Sequence, residues 1–151
     1  MRKHVVLAAA AALLVAPGVA HAKPRFKTIK STGIIKGHLA QPATTEGYAF
    51  AGFLSDAKLG EGAMTSQGSF SGATTTGGLI AFFDHGTLRG SFSFTAAPQP
   101  DGSVTFTGTT KYQGGTGRYR GAKGSGRVTA TQDADGYTTF DYSQTLKVRR
   151  R

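Results

Sequence analysis

Lys111-Tyr112-Gln113-Gly114-Gly115-Thr116-Gly117-Arg118-Tyr119-Arg120-Gly121-Ala122-Lys123-Gly124-Ser125-Gly126 decides the reading of this chain. Its glycines sit between two segments that alternate like β-strands, Ser103–Tyr112 before and Lys123–Thr131 after. Glycine is favourable where φ must be positive or where backbones touch, and costs conformational entropy elsewhere. Such a concentration predicts a tightly turned, close-packed crossing between strands, with Gly115, Gly117, Gly121, Gly124 and Gly126 serving the fold, and at least one of them at positive φ. Tyr119 is expected to pack toward the end of the sheet structure, with Arg118 and Arg120 pointing outward.

Working outward, no segment sustains a 3.6-residue apolar period. Short alternating runs rich in Thr, Phe, Tyr and Val recur instead, bounded by Gly, Asp or Pro, which is an all-β pattern. The alternation predicts eight strands, at Phe26–His38, Gly47–Leu54, Lys58–Gln67, Gly78–Phe83, Gly86–Ala96, Ser103–Tyr112, Lys123–Thr131 and Tyr137–Val148. Asp84-His85-Gly86, Asp101-Gly102 and Asp135-Gly136 supply tight-turn chemistry. The tract from Ser69 to Gly77, rich in Gly, Ser and Thr, reads as a mobile loop. Short meander connections between an even number of strands favour closure into one antiparallel barrel, which removes exposed edges.

The first 22 residues read as a leader. Arg2, Lys3 and His4 form a basic start, Val5 to Ala16 is an apolar run, Pro17-Gly18 breaks it, and Ala20-His21-Ala22 fits small-x-small cleavage. The expectation is a secreted protein cleaved after Ala22, with residues 23–151 as a single barrel domain. The apolar run is shorter than the ~20 residues a bilayer-spanning helix needs, so a transmembrane chain is not expected. There is no cysteine, which excludes disulfide staples, thiol catalysis and thiolate metal sites.

The formal charge is +10, and +8 without Arg2 and Lys3. Lys111, Arg118, Arg120, Lys123 and Arg127 fall in one acid-free window, and Lys147, Arg149, Arg150 and Arg151 close the chain. Such a surface attracts polyanions. For an exported protein this points to anionic cell-envelope polymers, and no nucleic-acid motif accompanies the charge.

The order Gly-Gly-Thr-Gly at 114–117, followed by Gly-Ala-x-Gly-x-Gly at 121–126, resembles the signature of the allene oxide cyclase / dirigent-like barrel superfamily. Gly86-x-Leu88-x-Gly90-x-Phe92 and Leu59-Gly60-Glu61-Gly62-Ala63 are similar to segments of its secreted bacterial relatives. The resemblance implies an eight-stranded antiparallel, calycin-type barrel around a central apolar cavity. It also implies work by confinement without a cofactor: plant members guide cyclisation of an unstable fatty-acid epoxide or stereoselective coupling of phenoxy radicals.

Three functional readings follow. The first is a barrel that binds a small apolar or aromatic molecule through interior rings, for which Tyr48, Phe50, Phe92, Phe94, Phe106, Tyr112 and Tyr142 are the candidates. The second is a cyclase- or dirigent-like catalyst. Here Glu61, which shares a period-2 face with Leu59 and Ala63, would be the catalytic carboxylate, since an enclosed carboxyl suits general acid–base work, and Glu46 would stand at the cavity mouth. The third is a surface-associated module held to anionic polymers by its basic patch. His38 and His85 have no metal-type spacing, and Asp84-His85-Gly86 reads as a turn, so neither a metal nor a cofactor is expected. Oligomeric state is left open.

Overall fold

The computed structural model describes residues 25–41 and 47–150, and the leader expected at 1–22 lies outside them. The chain forms eight strands: β1 (Phe26–Gln41), β2 (Tyr48–Asp56), β3 (Gly60–Ser71), β4 (Thr74–Phe83), β5 (Gly86–Pro98), β6 (Val104–Gly115), β7 (Lys123–Gln132) and β8 (Tyr137–Arg149). Each pairs antiparallel with its sequence neighbour, and β8 returns to β1, closing the barrel. The all-β, eight-stranded antiparallel expectation is therefore met strand for strand. One expectation fails: most of the stretch from Ser69 to Gly77 is not a loop. β3 and β4 run through it with Ser71↔Thr74 still paired, and only Gly72-Ala73 turn. β-branched threonines at 74–76 and the direct pairing of Gly68 with Gly77 let the two strands continue as a close ladder.

Inside the barrel, large side chains face glycines across the strand pairs. Tyr142 is opposite Gly33, Phe92 opposite Gly77, Phe94 opposite Gly108 and Leu146 opposite Gly124. A methyl group at Gly77 would sit 2.6 Å from Cζ of Phe92, and one at Gly108 would sit 2.6 Å from Cδ1 of Phe94. Eight strands leave an interior just wide enough to be filled by side chains. Rings fit because the neighbouring strand offers bare backbone to lie against.

The glycine crossover seals one end. Gly114, Gly117 and Gly121 all have positive φ, and a single 3-10 turn, Gly117–Tyr119, follows the end of β6. The backbone N–H of Arg118 donates to the carbonyl of His85 at 2.8 Å, and that of Thr116 donates to Thr87 at 3.0 Å, stitching the crossover to the β4–β5 turn. Tyr119 is thereby folded over the barrel mouth, 1% exposed, with its ring 5.6 Å from Phe83. Leu88, Ala122, Leu146 and Val148 fill the space beneath it. Arg120 is exposed and Arg118 half-exposed, as expected of side chains turned outward.

Gly117 is the sharpest test of this crossover. Its φ is +54°, and a Cβ there would meet the His85 carbonyl oxygen at 2.3 Å. Gly117→Val should cost about 1–3 kcal/mol, because a β-branched residue is strained at positive φ and the clash adds to it. Thermal melting measures this, and an unchanged midpoint would show that the turn does not hold the barrel end.

Candidate functional site

The opposite end is a cup. It is a half-open cavity of about 250 Å³ bounded by the rings of Tyr48, Phe50, Phe70, Phe94, Phe106 and Phe140. Leu39, Ala96, Pro98 and Val104 complete its apolar wall, and Gln132 and Thr138 are its polar members besides the Tyr48 hydroxyl. These residues lie where β1, β3, β5 and β7 finish and where β2, β6 and β8 begin, so period-2 alternation in seven strands converges on one space.

The rings form a connected chain. Phe70 lies 5.2 Å from Tyr48, Tyr48 6.4 Å from Phe92, and Phe92 stacks on Phe94 at 4.8 Å and 17°. Phe94 lies 6.3 Å from Phe140, which meets Phe50 edge-on at 5.2 Å. Offset and edge-to-face contacts at these spacings are the favourable ones and fix the rings as rigid walls. The polar groups among the described residues are neutral. Gln132 Nε2 donates to the Thr138 hydroxyl at 3.1 Å, while the Gln132 carbonyl oxygen accepts no hydrogen bond among the described residues. Burial raises the Tyr48 phenol above its ordinary value, so it stays protonated.

Of the seven rings expected to bind a ligand, four line the cup: Tyr48, Phe50, Phe94 and Phe106. Phe92 supports Phe94 from behind. Tyr112 and Tyr142 lie further toward the sealed end, in a polar layer around Asp56. Phe70 and Phe140 belong to the cup and were not among the expected set. Phe70 was hidden in the segment read as a loop. Phe140 was legible from its alternation with Tyr142, Leu146 and Val148.

Glu61 does not enter the barrel. It is exposed on the outer face of β3, where the Ser55 hydroxyl donates to its carboxylate at 2.6 Å. Leu59 sits in the β2–β3 turn, so counting every second residue from it through the turn assigns the wrong face. The inner residues of β3 are Gly62, Met64, Ser66, Gly68 and Phe70. Glu46 lies outside the described residues.

The interior carboxylate is Asp56, 4% exposed and two residues beyond Leu54 on the inner face of β2. The backbone N–H groups of Lys58 and Leu59 donate to its Oδ1 at 2.8 and 2.9 Å, as does the Ser31 hydroxyl. Tyr142 and Gln144 Nε2 each donate to Oδ2 at 2.8 Å. Donors from β1, β8 and the β2–β3 turn thus converge on one carboxylate. Its lone pairs are committed to holding the barrel together, and it has none free to serve as a base in the cup. Burial, and then the hydrogen bond and charge of Asp56, hold the Tyr142 phenol well above the ordinary tyrosine range. Burial pushes Tyr112 up to about 12.

No protein-family model matches the chain, and no curated protein does so. Among solved structures, the chain is similar to the pterocarpan synthase dirigent protein GePTS1, at 10% identity over 87% of this chain and 90% of that one, with a TM-score of 0.41.

The tyrosines give a signed pH prediction. A phenol whose pKa is raised by folding stays protonated in the native state while the unfolded chain ionises, so the unfolded state binds fewer protons above about pH 10. Stability from Tyr112 and Tyr142 is complete below that pH and falls as pH rises from 10 toward 12 and beyond. Urea unfolding at about pH 9 and about pH 11 should show the loss. Tyr142→Phe should shrink that loss and cost about 1.5–3 kcal/mol at neutral pH, the value of a hydrogen bond to a charged group. A variant as stable as the native protein would remove Asp56 from the role assigned to it.

Proposed function

We propose that this chain is an exported barrel that holds one small, planar aromatic molecule in its open-end cup by non-covalent confinement. The observation that carries this is the cup itself: six rings around about 250 Å³, five of them joined through ring contacts that include Phe92 behind them. A dry apolar cavity of ~150 Å³ is enough for benzene, so this volume suits a fused two-ring molecule. The Gln132 carbonyl oxygen and the Tyr48 hydroxyl would meet a single hydroxyl or carbonyl substituent, which fixes orientation in an otherwise apolar site. The expected export rests on the basic start, apolar run and Ala20-His21-Ala22 of the leader.

Titration with 2-naphthol, followed by its fluorescence, tests this reading. Binding should be saturable. Naphthalene, which lacks the hydroxyl, should bind more weakly by about 0.5–1.5 kcal/mol, the worth of one hydrogen bond. Ala96 points into the cup, and Ala96→Phe should fill it and weaken 2-naphthol at least about tenfold, or 1.4 kcal/mol. Undiminished binding by Ala96→Phe would show that the probe sits elsewhere.

A further inference from the structure

The outside of the barrel carries a second surface, unrelated to the cup. Antiparallel register places Lys111, Ser125, Thr145 and Lys30 side by side in one row across β6, β7, β8 and β1. Thr109, Arg127, Ser143 and Thr32 form the next row, and all eight side chains are exposed. Because serine and threonine are short and the cations long, the surface dips into an open depression of about 960 Å³ with Lys30, Lys111 and Arg127 around it. At a spacing of roughly 4.8 Å per strand, Lys30 and Lys111 stand about 14 Å apart.

Two features set this face apart from an ordinary solvated one. Lys123 and Lys147 are directly opposed across β7 and β8, both exposed, and like charges in that position are destabilising. None of Lys30, Lys111, Lys123, Arg127 and Lys147 is ion-paired among the described residues. The one carboxylate on the outer faces of these four strands is Asp141, beyond the second row and opposite Thr129. An uncompensated cationic ladder, kept at a cost to the fold, is complementary to an external polyanion.

We propose that this face binds a linear anionic polysaccharide, with the lysines and Arg127 pairing to its carboxylate or sulfate groups and the serine and threonine hydroxyls bonding to its sugar hydroxyls. The chemistry of the two rows favours a polysaccharide over a nucleic acid. No aromatic side chain stands in either row, so bases have no ring to stack on, which is the usual platform for single strands. The closed sheet presents a broad face, without the helix or two-stranded ribbon that enters a duplex groove.

Equilibrium binding of the full chain to dextran sulfate, alginate, uncharged dextran and poly(dT) tests the proposal, at about 0.05 and 0.3 M salt. Dextran sulfate or alginate should bind and dextran should not, and whichever binds tells sulfate from carboxylate. Affinity should fall at least about tenfold across that salt range, because the contacts are screened. Lys111→Ser combined with Arg127→Ser should weaken binding about tenfold or more, and Arg127→Ser alone several-fold. Lys36→Ser removes the same single charge from β1 well away from both rows, and should change affinity less than about twofold. Equal losses from Lys36→Ser and Arg127→Ser would overturn the proposal in favour of unlocalised net charge. Binding of poly(dT) as tight as that of either polysaccharide at equal salt would overturn it in favour of a nucleic acid, and salt-independent binding would overturn it outright.

Discussion

The packing of large interior side chains against glycine backbone is the constraint on which the rest of this barrel depends. An eight-stranded barrel has little interior room, yet this one encloses a connected chain of rings from Phe70 through Phe92 to Phe50. That is possible because Gly33, Gly77 and Gly108 stand directly across from Tyr142, Phe92 and Phe94. A side chain at any of these glycines would occupy space a ring already fills. Tight interiors resist added volume, so the glycines and the aromatics specify each other, and together they fix the register of every strand pair they join.

The two ends of the barrel solve different problems with the same materials. At one, positive-φ glycines turn the chain back so that Tyr119 closes the mouth, and Asp56 gathers donors from β1, β8 and the β2–β3 turn into one knot. A buried carboxylate is tolerable only when its oxygens are fully bonded, and these are. At the other end no described side chain folds across, and the rings that would have filled a core line a space instead. Sealing and tying one end lets the other stay open without an unpaired strand edge, since closure of the sheet has already paired every strand.

Interior and exterior are chemically independent because each strand offers alternate residues to each. Tyr142, Gln144 and Leu146 look inward on β8, while Ser143, Thr145 and Lys147 look outward. The proposed binding inside would rest on ring geometry and neutral hydrogen-bonding groups, and the proposed binding outside on the field of the cations. A substitution on one face leaves the other almost untouched, which is why the two proposed activities can be separated by single residues such as Ala96 and Arg127.

The sequence by itself determined the class and the strand order. Alternation of period 2, Asp-Gly turns and the glycine crossover are local signals, and local signals locate strands: β5, β7 and β8 begin where the alternation places them. It also located four of the rings that line the cup. The tertiary structure alone decided three things. Most of Ser69 to Gly77 became strand because Gly68 and Gly77 meet across a ladder, and that partner is invisible in a composition read as loop. Glu61 went outside because parity is reset at every turn, and the Ala57-Lys58-Leu59 turn cannot be counted through. Asp56 became the interior carboxylate because donors at Ser31, Tyr142 and Gln144, distant in sequence, arrive at one point only when β8 closes against β1. Pattern within a strand is written in the chain. Which strands share a point in space is written in closure, and both the cup and the cationic rows are products of closure.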